Sequence, residues 1–288
     1  MAAEQFSDSG QALAWFSAEQ RVLAAVVDQA VSAGFDIHGW QLPLTLGSFH
    51  DRTGDFSGSL ALEQAGLAAA QRLGDRQALG KIHCRIGRTC VRLGAYRDAE
   101  FHYQEALRLF EEADDRAAQI RCHLGLGFAA ETEGRYRDAL THSTRTLALS
   151  DPADDPALHA AALNNLGWCH ARLGEYQQAL IYIPQAIQLH QEKCDPHTEA
   201  HAWDTLGYVQ HHLGQHSNAV SSYEEALRLF SRTGDRFYQA TILDHLGDTR
   251  HTAGDPQLAI TAWRQAADIL DELGHGDAQG IRSKLQHT

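Results

Sequence analysis

One spacing constrains this chain more than any other feature. A glycine preceded by leucine or isoleucine returns every 40 residues, at Leu46-Gly47, Ile86-Gly87, Leu126-Gly127, Leu166-Gly167, Leu206-Gly207 and Leu246-Gly247. Seven residues after each comes a second glycine: Gly54, Gly94, Gly134, Gly174, Gly214 and Gly254. Five further on stands a small residue: Ser59, Ala99, Ala139, Ala179, Ala219 or Ala259. A period held without insertion across six copies marks a repeat array, in which each unit buries its apolar face against its neighbours.

Each unit reads as two helices. Asp75, Asp115, Asp155, Asp195 and Asp235 stand between units, where a carboxylate caps the free N–H groups of a first turn. Pro156 and Pro196 follow directly, at the helical position where a missing N–H costs nothing. The first helix then runs to about Leu93, Leu173 or Leu213, and the next glycine ends it. The second helix carries Leu107, Leu147, Ile187 and Leu227 on its apolar face. Gly87 and its equivalents predict a close approach of the two helices, with Ala99 and Ala106 doing the same from the partner helix. Tyr103, Tyr223 and Trp263 are expected to fill the gaps between them.

The pattern divides the chain into three parts. Residues 1–35 hold an N-terminal helix, read either as the second half of an incomplete repeat or as a cap. Residues 36–274 hold six helix pairs, and residues 275–288 a C-terminal capping helix. The expected fold is all-α, a right-handed superhelical solenoid of antiparallel helix pairs.

Bulk properties narrow the function. A formal charge of −13 argues against direct nucleic-acid binding, which needs a basic surface. No apolar run is long enough to span a bilayer, and no membrane partner is expected. The five cysteines, Cys84, Cys90, Cys122, Cys169 and Cys194, form no CxxC pair, and no secretory signal pattern opens the chain; the expected setting is cytoplasmic with free thiols. HExxH, G-x-S-x-G and G-x-x-x-x-G-K-[ST] are all missing from the sequence, so no enzyme activity and no cofactor are expected.

The columns Leu-Gly, Gly-x-Tyr, x-x-Ala and aromatic-x-x-Ala resemble the tetratricopeptide repeat, although the period of 40 exceeds that family's usual ~34. Two groups with the longer period are similar. One is the C-terminal sensor region of actinobacterial transcriptional regulators of the NB-ARC and Streptomyces antibiotic regulatory protein type. The other is the polarity adaptors named for Leu-Gly-Asn repeats. Leu73-Gly74-Asp75-Arg76 and Thr233-Gly234-Asp235-Arg236 match both, and the preference for arginine over lysine tilts the resemblance to the bacterial group. It implies a regulatory, protein-binding role, with an upstream or intramolecular nucleotide-binding switch domain as one partner. The alternative is a free-standing scaffold or adaptor.

In that family the first helices line a concave groove that takes a protein or peptide. Carried over through the Leu-Gly register, the groove positions fall into three zones. The N-terminal zone is basic, with Lys81, Arg85, Arg88, Arg92 and Arg121. The middle holds Phe128, Asn164, Asn165, Trp168 and Arg172. The C-terminal zone is acidic and histidine-rich, with His201, Asp204, Tyr208, His211, Asp244, His245, Asp248 and His251. Lys81 and Arg85 match part of the carboxylate clamp of chaperone-binding relatives, but Thr45 replaces its asparagine, so a chaperone C-terminus is not the implied ligand. His197, His201 and Asp204 lie on one helix face at a spacing that suits zinc, yet solvated or capping histidines are the simpler reading, and no metal is expected.

Overall fold

The computed structural model describes residues 9–193 and 195–286, so Cys194 and the first eight residues lie outside the described residues. The described residues form fourteen helices. Contacts gather them into two compact units, the first ending at Arg135 and the second beginning at Tyr136.

The first unit comprises α1 (Ser9–Ser32), α2 (Asp36–Thr53), α3 (Phe56–Leu73), α4 (Arg76–Arg92), α5 (Tyr96–Glu112) and α6 (Arg116–Thr132). The second comprises α7 (Tyr136–Leu149), α8 (Pro156–Arg172), α9 (Tyr176–Lys193), α10 (Pro196–His212), α11 (His216–Thr233), α12 (Arg236–Thr252), α13 (Pro256–Glu272) and α14 (Ala278–Gln286). Within each unit successive helices pack as neighbours, which is how individually unstable helices of this length hold their shape.

The aspartates at the junctions do what their chemistry suggests. Asp75 accepts the backbone N–H groups of Gln77 at 2.9 Å and Ala78 at 3.1 Å. Asp115, Asp155 and Asp235 cap α6, α8 and α12 in the same way. Each such cap is worth about 1 kcal/mol. The closing turns need a left-handed residue, supplied by glycine at Gly74 and Gly234 but by Asp114, at φ 52°, in the same column of the repeat.

The helix-facing glycines are packing residues. A Cβ on Gly87 would meet the Tyr103 ring at 3.0 Å, one on Gly207 the Tyr223 ring at 2.7 Å, and one on Gly247 the Trp263 indole at 2.5 Å. Each aromatic lies 16 residues after its glycine, so the register itself pairs them. Around Tyr103 the core continues through Ile82, Ile86, Phe110, Cys122 and Leu126, all buried. At the start of the first unit α1 lays Val27 against Leu46 and Leu62, and Phe16 stacks on Phe49 at 5.5 Å. At the far end of the second unit, Ala278 and Ile281 of α14 bury against α13.

Candidate ligand-binding site

On α4, residues 81, 85 and 88 recur at helical spacing and share one face. That face opens onto a cavity of about 480 Å³ within the first unit. Lys81, Cys84, Arg85 and Arg88 line it from α4, Leu44 from α2, Tyr103 and Phe110 from α5, and Arg121, Leu124 and Gly125 from α6. Gly125 is required here, because a Cβ at that position would lie 2.2 Å from the Tyr103 ring. The cavity therefore combines four cations with an apolar wall.

The four cations are not equivalent. Arg85 is buried, and its Nε donates to Glu63 Oε1 at 2.7 Å. The rest of its guanidinium donates to Gly47 O at 2.9 Å and to Asp51 at 3.0 and 3.2 Å. Glu63 is 0% exposed and also accepts from Ser59 at 2.8 Å and Thr89 at 3.0 Å. Burial pushes its carboxyl up, and the hydrogen bonds from Arg85 and Ser59 oppose that shift. Arg88 is exposed and pairs with Asp51 at 2.7 Å. Among the described residues no carboxylate pairs with Lys81 or Arg121. Arg85 and Arg88 are thus held by acids of the protein, whereas Lys81 and Arg121 have no acidic partner among the described residues.

The other basic-zone residue, Arg92, does not line the cavity; its guanidinium lies 5.9 Å from the Phe56 ring. Phe128 on α6 is 55% exposed and stands outside it.

The remaining sequence-derived positions lie in the second unit. Trp168 meets Tyr208 edge-on at 5.2 Å, and Arg172 sits over the rings of Tyr136 and Trp168 at 4.5 and 5.1 Å. Asn165 is exposed, and Asn164 is half-buried with its side-chain oxygen lacking a hydrogen bond. His201 packs edge-on against Tyr238 at 4.4 Å and Phe230 at 5.0 Å, and burial lowers its pKa. His245 contacts Asp204 at 2.9 Å; burial opposes protonation there, but the carboxylate prevails and raises its pKa. His211 is hydrogen-bonded to Thr249 at 2.9 Å, and the His251 ring lies 5.5 Å from that of Trp263.

Part of the acidic zone is already engaged by a cation of the chain itself. Lys284 of α14 donates to Asp244 at 2.7 Å and to both oxygens of Asp248 at 2.7 and 2.8 Å. Trp263 adds an indole N–H to Asp248 at 3.0 Å. The zinc-compatible spacing of His197, His201 and Asp204 does not become a ligand set: His197 turns to Asp235 at 3.3 Å. Among the described residues no three metal-binding side chains converge.

Sequence reasoning missed Glu63, Asp51 and Lys284, as well as the apolar wall of Leu44, Cys84, Phe110 and Leu124. A signal existed for Glu63. It occupies the column of Tyr103, Tyr223 and Trp263, where a carboxylate needs a partner.

The family model described as Tetratricopeptide repeat matches residues 115–192 and 198–272. No curated protein matches the chain. Among solved structures, BtubC from P. vanneervenii is 20% identical with a TM-score of 0.62, covering 76% of this chain and 92% of its own. A Rap protein complexed with Competence and Sporulation Factor is 15% identical, with a TM-score of 0.61 and coverage of 88% and 74%. A Signal Transduction ATPase with Numerous Domains from Pyrococcus horikoshii, carrying a tetratricopeptide repeat sensor, is 13% identical with a TM-score of 0.67. It is matched over 94% of this chain and 44% of its own length. At these identities the likeness is one of fold.

Proposed function

The chain belongs to the tetratricopeptide repeat family, and from that premise we propose that it is a non-enzymatic protein-interaction module whose first unit binds an acidic peptide segment carrying a large apolar residue. The observation that carries this reading is the cavity beside α4. Lys81 and Arg121 are its cations without an acidic partner among the described residues, and Leu44, Tyr103, Phe110 and Leu124 offer an apolar wall. A segment with an aromatic or aliphatic anchor and flanking carboxylates satisfies both features: the anchor leaves water and the carboxylates set the register.

We place this module in the regulatory region of a bacterial transcriptional regulator, where ligand binding shifts an equilibrium between two states of a larger protein. The 40-residue period and the fold-level likeness to a sensor-bearing ATPase support that setting. The test uses fluorescence polarisation with a labelled peptide holding Leu-Phe between glutamates, and a control with lysines in place of the glutamates. The wild type is expected to bind the acidic probe and discriminate against the basic one. Lys81→Glu/Arg121→Glu is expected to lose roughly tenfold or more in affinity for the acidic probe. Equal binding of both probes, or an unaffected double variant, would contradict the reading.

A further inference from the structure

Two cysteines meet in the wall of this same cavity. Cys84 is half-buried on α4 and lines the cavity, and Cys122 on α6 is 0% exposed in the apolar cluster against which Cys84 packs. Both belong to the packing around Tyr103, where their side chains interact with each other. Arg85 and Arg121, each next in sequence to one cysteine, also line the cavity. A small oxidant that enters the cavity meets Cys84 in a cationic setting, with a second thiol interacting with it.

We propose that Cys84 is a site of oxidative modification, reacting with a hydroperoxide and then forming a disulfide with Cys122. In the first step the Cys84 thiolate attacks one oxygen of the hydroperoxide and the O–O bond breaks. This leaves a sulfenic acid on Cys84 and releases hydroxide or alkoxide. In the second step Cys122 sulfur attacks Cys84 sulfur and the S–O bond breaks. The departing hydroxide takes the Cys122 proton and leaves as water. The two thiols lose two hydrogens and the hydroperoxide is reduced to water and water or an alcohol.

The environment favours attack by Cys84. Its interaction with Cys122 lowers its pKa, burial opposes this, and Arg121 and Arg85 lower it further. Reactive thiols are found in such partly exposed, electropositive settings. The other described cysteines lack these features. Burial pushes Cys90 up to about 11, with Asp98 and Glu63 adding to the shift. Cys169 is buried in the second unit beside Ser143, at 3.7 Å. Since α4 and α6 both wall the cavity, the disulfide would tie its two sides together and remove the Cys84 thiol from its lining.

The repeat supplies variants that keep the fold. Ala162 and Ala202 stand in the Cys122 column, and Leu44 and Leu124 in the Cys84 column. Cys122→Ala and Cys84→Leu therefore place residues the scaffold already uses, and far-UV circular dichroism checks that each folds. The full chain is treated with stoichiometric hydrogen peroxide, with and without dimedone, and read by intact mass and peptide mapping. Wild type is expected to lose two hydrogens and yield a Cys84–Cys122 linked peptide. Cys122→Ala should carry dimedone on Cys84, labelled about tenfold or more faster than Cys90. Cys84→Leu should yield neither product. A linked peptide between other cysteines, label on Cys90 or Cys122 in preference to Cys84, or no change in mass would each overturn the proposal.

Discussion

Two interfaces built on the same columns of the repeat are filled by opposite chemistries. In the first, Glu63 and Arg85 meet in a buried ion pair, with Arg85 lying over Gly47. In the next, Tyr103 occupies the Glu63 column and Gly125 the Arg85 column, and the ring takes the space the guanidinium filled. The helix backbones need only a pair of side chains whose combined size fills the gap. A charged pair does so with extra hydrogen bonds to Ser59, Thr89 and Asp51, whereas an aromatic–glycine pair does so by burying a ring. The charged solution is fragile to the loss of one partner, because the other charge is left out of water; the aromatic one is fragile to added volume.

The largest expected effect follows from that fragility. Arg85→Met strands Glu63, which is 0% exposed, and is expected to cost about 3–5 kcal/mol in urea unfolding followed by circular dichroism. A loss below about 1 kcal/mol would mean that Glu63 finds water or another donor. Next comes the aromatic side. Gly247→Ala drives a Cβ into the Trp263 indole, which is pinned by its hydrogen bond to Asp248, and is expected to cost about 1–3 kcal/mol in the same assay.

The charged pair also has a pH signature. Burial raises the Glu63 pKa in the folded protein, so the folded state holds this proton more tightly than the unfolded one. The contribution is fully present below the unfolded value and is lost as pH rises through the folded value. A Glu63→Tyr/Arg85→Gly variant lacks that group, so its stability relative to wild type should increase with pH across this window. Urea midpoints measured from acid to neutral pH read it, and a pH-independent difference would assign the cost elsewhere. The smallest effect is at Asp114, whose φ of 52° falls where glycine serves in the repeat; Asp114→Gly should stabilise by about 0.5–1 kcal/mol. A thermal midpoint that falls in this variant would show that the Asp114 side chain contributes more than its backbone costs.

Much of the scaffold was legible in the residues because the features that recur are local. The Asp caps, the turn glycines and the glycine–aromatic pairs each follow from one residue type at one register position, and the structure has them at Asp75, Gly74 and Gly87. The site was legible only in part. Lys81, Arg85, Arg88, Arg92 and Arg121 were expected together in one basic zone; all but Arg92 line the cavity, and nothing local says which of them an acid already holds. That depends on Glu63 and Asp51, which lie 22 and 34 residues from Arg85 and reach it across neighbouring helices. The acidic zone shows the same limit in reverse. Asp244 and Asp248 read as ligand positions, yet Lys284, 40 and 36 residues on, already occupies them. Register positions report where a side chain stands, and the identity of its neighbour on the next helix sets its charge state.

The Glu63–Arg85 and Tyr103–Gly125 pairs are interchangeable fillings of one scaffold. Urea unfolding of Glu63→Tyr/Arg85→Gly beside its two single variants tests this most directly. Each single variant is expected to lose about 3 kcal/mol or more, while the double variant stays within about 1 kcal/mol of wild type or exceeds it. A double variant as unstable as the sum of its singles would contradict that interchangeability.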